Sequence, residues 1–257
     1  MSMVFLGKAQ LNALRAISRD IFPEMPVRFR SISDDWGSFD EEATRSDLAE
    51  ADLVVAQAIT DPDAVFNTAD LMATTTGDVI FLPYLHVDGL ASLELDPAQG
   101  RVLGAEQLLE GQAGRDQAEI FDDFCRGRID MGNQARIEAS LTRMGELEAS
   151  VCDLAISGYI AETYHDKRSF FGVDHPAQHV LFELFRRLCA EMALEFDRGV
   201  FDDPVFHGRH AMPYGQRAFT PVDVGRLGLA YECDPHWHRQ AQKLVTQVVR
   251  ESQLEEA

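Results

Sequence analysis

The sequence predicts an α/β fold: a parallel-type sheet drawn from the N-terminal third, with a largely helical second half packed on it. Three observations carry that prediction. Short continuous apolar runs at 4–6, 53–56 and 79–82 read as strands buried on both faces. Helical patterns separate those runs, which is the arrangement of βαβ units. In the second half apolar residues recur three and four apart, as at Ile137, Leu141, Met144, Leu147, Val151 and Leu154.

The elements follow in order. Residues 4–6 form a short strand that meets Gly7 and passes into a helix over 8–21, stopped by Pro23. Residues 27–32 alternate as a strand does, 41–51 read as helix, and 52–59 hold a buried strand. Asp61 is predicted to cap a helix with Pro62 at its first position, fading in the threonine run 74–76 and ending at Gly77. Residues 79–82 are the next strand. The stretch 99–114 reads as glycine-containing connection, 116–126 as a short amphipathic helix, and 133–164 as one long helical pattern with Gly158 near its end. Phe170-Phe171 suggests a fifth short strand, 176–194 a helix rich in Leu and Phe, 201–220 a loop, and 237–254 a closing helix. No internal repeat or low-complexity linker appears. The expectation is one domain over 1–257, with a strand/helix alternating part at 1–98 and a mainly helical part at 99–257.

Composition narrows the function classes. A chain of 257 residues with 46% hydrophobic content is long enough for a sizeable core. No apolar run approaches the ~20 residues of a membrane-spanning helix, and no basic-then-apolar secretory signal opens the chain. The expectation is a cytoplasmic protein without a membrane span. Forty-three acidic residues against 23 basic ones give a formal net charge of −20. Nucleic acid and anionic membrane are disfavoured as partners, because both need a basic field. The acid-rich stretches 34–52 and 116–123 read as solvated faces. Cys125, Cys152, Cys189 and Cys233 form no CxxC pair, so a structural zinc site is not expected. The first three read as buried free thiols and Cys233 as exposed.

Three segments carry candidate chemistry. The junction Gly7-Lys8-Ala9-Gln10 aims backbone N–H groups beyond a strand's carboxyl end, where open α/β sheets bind ligands. Lys8 and Gln10 flank Ala9, which stands where a nucleophile would be useful. Leu82-Pro83-Tyr84-Leu85-His86-Val87-Asp88-Gly89 follows a strand directly, and Tyr84, His86 and Asp88 alternate toward one side. In Asp174-His175-Pro176, Asp174 or His175 is expected to cap a helix with Pro176 at its first position. Exposed helix N–H groups there favour neutral imidazole, which suits a general base. For each segment the plain alternative is a strand end or cap whose polar groups satisfy local backbone. His175 and His179 are four apart, the histidine spacing of HExxH without its glutamate. His207-Gly208-Arg209-His210 and His236-Trp237-His238 read as polar loop residues. Lys8, Arg168, Arg209 and Arg217 are the candidates for binding phosphate. No GxSxG elbow, P-loop or GxGxxG is present.

In order and spacing these segments, with Ala51-Asp52-Leu53-Val54-Val55-Ala56-Gln57, resemble the WcbI-type polysaccharide biosynthesis proteins over roughly residues 4–229. The resemblance implies an α/β fold, a ligand crevice and acetyl transfer from coenzyme A in capsule synthesis. The family's first turn typically reads Gly-Asn-Cys-Gln. This chain keeps Gly7 and Gln10 but carries Lys8 and Ala9, and an alanine methyl is neither nucleophile nor acid.

The leading expectation is therefore a WcbI-like protein that transfers an acyl group from coenzyme A to a carbohydrate hydroxyl without a covalent enzyme intermediate. His175 would take the hydroxyl proton, and N–H groups around Ala9 and Gln10 would stabilise the oxyanion. Gly7, Lys8, Ala9, Gln10, Tyr84 and His86 would line the coenzyme A site, with no metal. That expectation gathers Lys8, His86 and His175 around one cavity. The alternative is a non-catalytic relative that binds a ligand or partner. The third reading is a metal-dependent hydrolase using His175 and His179.

Overall fold

A computed structural model describes residues 1–32, 39–96, 100–210, 212 and 215–255. In chain order the elements are β1 (Met3–Gly7), α1 (Ala9–Ile21), β2 (Val27–Ser31), α2 (Glu41–Glu50), β3 (Leu53–Gln57), α3 (Thr68–Thr74) and β4 (Asp78–Leu82). Then come β5 (Leu93–Asp96), β6 (Arg101–Leu103), α4 (Ala105–Leu109), α5 (Gln117–Cys125), α6 (Asn133–Val151) and α7 (Ser157–Thr163). The chain closes with β7 (Phe170–Gly172), β8 (His175–Pro176), α8 (Gln178–Glu191), α9 (Pro204–Arg209), β9 (Arg217–Ala218), α10 (Pro221–Leu227) and α11 (Trp237–Glu255). The N-terminal third thus builds the parallel sheet and the rest is largely helical, as expected. Among the described residues no helix is long and apolar enough to cross a membrane.

The chain forms two compact units. The first comprises Met1–Leu85, Arg143–Tyr159 and Pro176–Met212. Its sheet has the order β2-β1-β3-β4, all parallel. Every residue of β1 and β3 is buried, because both strands are central and covered on both faces. Alternation splits each strand between two layers. Val4, Leu6, Val54, Ala56 and Phe81 join Leu48, Phe66 and Leu71 on one face. On the other, α1 buries Leu11, Leu14 and Ile17, spaced three apart, and packs against α8.

The second unit comprises His86–Thr142, Ile160–His175 and Pro213–Ala257. Its three-stranded sheet has the order β6-β5-β9 and is antiparallel. Leu93, Val102 and Ala218 from that sheet meet Ile120 and Phe124 of α5 and Ala241, Leu244, Val245 and Val248 of α11 in one core.

Several expectations are corrected here. The helix expected at Asp61-Pro62 begins at Thr68. Asp61 caps only a turn, accepting the Asp63 N–H at 3.0 Å, while buried Asn67 accepts the Asp70 N–H at 2.9 Å as the true cap. The long helix over 133–164 is two helices. The Glu148 carboxylate accepts the N–H groups of Ile156 (2.7 Å) and Ser157 (2.9 Å), ending one helix and starting the next. Within the connection over 99–114, whose first residue lies outside the described ones, β6 and α4 form. The loop over 201–220 holds α9 and β9.

The acidic stretches are not uniformly solvated. Residues 34–38 lie outside the described ones, but Asp47 is buried and paired with Arg28 and Arg30. Asp123 is half-buried, held below the usual carboxylate range by hydrogen bonds from Arg128 and Arg115. Of the thiols, Cys189 is buried, and Cys125, Cys152 and Cys233 are half-buried, so Cys233 is less open than expected. Burial pushes Cys152 and Cys189 up to about 12.

Candidate functional site

In the first unit, β1 has β2 on one side and β3 on the other, so its carboxyl end is a topological switch point. The residues there hold a fixed arrangement. Gly7 is required by close packing: a Cβ there would lie 2.7 Å from Leu11 Cγ and 3.2 Å from Gln57 Cβ. Lys8 is the N-cap of α1 in extended conformation and makes no side-chain cap bond. Its N–H donates to Gln57 Oε1 at 3.3 Å, tying the β1 turn to the end of β3. No residue in the first turn of α1 is acidic, so the positive helix end is not neutralised from within.

Gln10 is buried at 2% exposure. Its Nε2 donates to the Leu85 carbonyl at 2.6 Å and its Oε1 accepts the Leu85 N–H at 3.0 Å. The side chain thus clamps the segment after β4 beside the helix start. Next to that clamp, Lys8 Nζ sits 5.1 Å from the centroid of the Tyr84 ring, a cation–π contact. Lys8 and Ala9 are half-buried. Gly7, Lys8, Ala9, Gln10 and Tyr84 are therefore brought together, with Gln57 added. Gln57 was missed in sequence because its role depends on the β1–β3 pairing, and only its place at the end of an apolar run signalled it.

In the second unit, Tyr84's neighbours in sequence continue the alternation: His86 and Asp88 are half-buried while Val87 is buried. Asp88 is paired with Arg136, whose Nε lies 3.1 Å from Oδ2. Arg136 also donates to the Ser92 carbonyl at 2.9 Å. Asp88 is thereby committed to fixing α6.

His175 does not open a helix. His175-Pro176 is β8, paired with β7, and the N-cap of α8 is Ala177. The strand pairing places the helix start two residues later than Pro176 suggested, so the helix-end argument for a neutral imidazole falls away. What the structure supplies instead is a carboxylate. Asp174 Oδ1 lies 2.7 Å from His175 Nδ1, with both side chains largely buried. The direction of approach is not that of a hydrogen bond, so the contact is electrostatic. It leaves Nε2 as the imidazole's other ring nitrogen.

The remaining candidates are scattered. His179 lies in α8, its Nδ1 3.0 Å from the Tyr159 hydroxyl, so it shares no helix face with His175. Among the described residues no group of three or more His, Cys, Asp or Glu is placed to hold a metal ion. Arg209 lies near Asp20 at the carboxyl end of α1, about 18 Å along the helix from Lys8. Arg168 and Arg217 converge on Asp234, at 2.7 and 3.1 Å, and both stack on Phe219. Arg209 therefore does not stand beside Lys8, and Asp234 engages both Arg168 and Arg217. His207 and His210 are not polar loop residues either. They close α9 against Phe182 and Phe206, and His210 is buried. Trp237 and His238 begin α11 rather than a loop.

No family model matches the chain, and no curated protein matches it. Among solved structures it is similar to WcbI, described as a novel polysaccharide biosynthesis enzyme, in a native form without a disulfide bond between coenzyme A and one of its cysteines. Identity is 13%, the match covers 95% of this chain and 98% of that one, and the TM-score is 0.59. The likeness is one of fold. The laminin-binding protein Lbp of Streptococcus pyogenes, 11% identical over 96% of this chain and 97% of that one, has a TM-score of 0.20, which is no likeness of fold.

Proposed function

We propose that the chain binds coenzyme A or acetyl-coenzyme A and transfers the acyl group to a carbohydrate hydroxyl. The observation that carries this reading is the β1 turn: an uncapped, acid-free helix start with Lys8 beside it, at the switch point of a parallel sheet. That donor set fits the anionic part of such a ligand. Lys8 and the first-turn backbone would hold phosphate or pyrophosphate, and Tyr84 would flank them. The ligand supplies an acyl group activated as a thioester. Ala9 offers no sulfur, so a disulfide of the kind named for WcbI has no partner in this turn.

The chain's own chemistry is then direct transfer. The acceptor oxygen bonds to the acyl carbon as the carbon–sulfur bond breaks. His175 Nε2 takes the hydroxyl proton and returns it to the departing sulfur. Asp174, beside Nδ1, stabilises the imidazolium formed in between.

Calorimetric titration with coenzyme A tests the binding step. The wild type should bind, and Lys8→Ala should weaken binding about tenfold, with marked salt dependence. Absence of heat with the wild type overturns the reading. Acetyl-coenzyme A consumption with His175→Ala tests the base, and undiminished turnover removes that role.

Ala9 specifically favours a second reading, a non-catalytic relative that binds the same ligand. Coenzyme A binding without turnover in the wild type, and turnover gained by Ala9→Cys, is its signature.

A further inference from the structure

Among the buried acids that the mechanism leaves unused, one stands at the corner before His175. Glu94 on β5 is 3% exposed, and its Oε1 accepts the Val173 N–H. Val173 in turn accepts the Val87 N–H on its carbonyl at 2.8 Å, so the corner before His175 is anchored from two sides. Two glycines make room for the carboxyl. A Cβ on Gly172 would lie 2.7 Å from His175 Nδ1 and 3.2 Å from Glu94 Oε1. A Cβ on Gly215 would lie 3.2 Å from the same Oε1 and 3.0 Å from Gly172 Cα. The imidazole and the Glu94 carboxyl therefore approach the same Gly172 surface, and a side chain there would collide with the imidazole and crowd the carboxyl.

We propose that Glu94 is a positioning residue for His175, holding the Gly172–His175 corner through Val173 and presenting its charge to the imidazole. This rests on the assignment of His175 as the proton acceptor. The charged groups around Glu94 are Arg217, opposite it on β9, Asp88, and Asp174. Arg217 is itself held by Asp234, and Asp88 by Arg136. Burial raises the Glu94 carboxyl to about 7; Arg217 and the Val173 N–H oppose that rise, and Asp88 and Asp174 add to it. Above that range Glu94 is ionised and favours the imidazolium, strengthening His175 as a base. Below it the carboxyl is neutral and that support is gone.

The experiment is a histidine NMR titration of the full chain, with the His175 signal assigned by its loss in His175→Ala. In the wild type the His175 signal should show a second inflection near 7 as Glu94 ionises. Glu94→Gln keeps an acceptor for Val173 but loses the charge. It should remove that inflection and lower the His175 titration midpoint by about half a pH unit or more. Glu94→Asp should restore part of it. Glu94→Gln should also flatten the pH profile of kcat for acetyl-coenzyme A consumption while leaving KM little changed. A wild-type His175 titration without a second inflection, or one unmoved by Glu94→Gln, overturns the proposal. Undiminished turnover in His175→Ala overturns the base assignment instead, and leaves the titration result standing.

Discussion

Gln10 and Leu85, 75 residues apart in sequence, are joined by two hydrogen bonds between one side-chain amide and one peptide unit. The amide takes the part of a neighbouring strand. It satisfies a buried N–H and a buried carbonyl where the chain has left β4 and no ladder remains.

Removing that amide should therefore be costly. Gln10→Ala leaves both Leu85 groups without this partner in a buried setting, and about 2–4 kcal/mol of stability should be lost in urea denaturation. Gln10→Glu keeps an acceptor for the N–H but sets a carboxylate against the Leu85 carbonyl. It should be worse than wild type at neutral pH and recover toward pH 4, where a protonated acid donates. A Gln10→Ala loss under about 0.5 kcal/mol would sink the clamp.

Gly7→Ala should destabilise by about 1–3 kcal/mol, because the new methyl meets Leu11 Cγ at 2.7 Å. Leu11 is 1% exposed and has little room to withdraw. The double variant Gly7→Ala with Leu11→Val, which thins the obstacle, should lose less than the two single losses summed. Strict additivity in a thermal denaturation series would show that the two positions do not meet.

Much of this arrangement was legible in the sequence because it is local. The strand–Gly–helix junction at Gly7 and the alternation of Tyr84, His86 and Asp88 depend on neighbours a few residues away. So do the apolar runs of β1, β3 and β4. The rest depends on distant partners. Glu94 sits in a four-residue strand opposite Arg217, over a hundred positions later, and no periodicity signals that pairing. Pro176 looked like a helix start, yet pairing with β7 claimed it first. The break between α6 and α7 follows from the Glu148 side chain, which in sequence is one more polar residue on a helical face.

That break gives a test of its own. Glu148→Ala removes the acceptor of two backbone N–H groups, at Ile156 and Ser157, and should cost about 2–3 kcal/mol. Glu148→Gln retains one acceptor oxygen and should cost about half as much. Hydrogen exchange at Ile156 should accelerate in Glu148→Ala. Unchanged protection there would mean that something other than this carboxylate starts α7.

His210 should make the fold acid-sensitive. Burial lowers its pKa, partly opposed by Asp20, whose Oδ2 lies 3.2 Å from Nε2. The unfolded chain then binds a proton at higher pH than the native one. Stability rises with pH through that window and is lost as pH falls below the ordinary histidine range. His210→Phe, which keeps a ring against Phe206, should lose less stability than wild type on going from pH 7 to pH 5. Parallel stability curves for the two proteins would exclude the effect.

Glu94 carries the opposite sign. Its folded pKa of about 7 stands above the ordinary glutamate value of 4.5, so the native state holds this proton more tightly than the unfolded chain does. Its contribution is fully present below 4.5 and is lost as pH rises through about 7. Glu94→Gln cannot ionise and keeps an oxygen for the Val173 N–H, so it should not share that loss. Relative to wild type, the variant should gain on the order of 3 kcal/mol between pH 4.5 and pH 8, read from urea denaturation at each pH. Other titrating groups, buried Asp223 among them, are common to both proteins and cancel in the difference. A difference that stays flat over this range would mean that Glu94 is ionised throughout, stabilised by Arg217 against its burial.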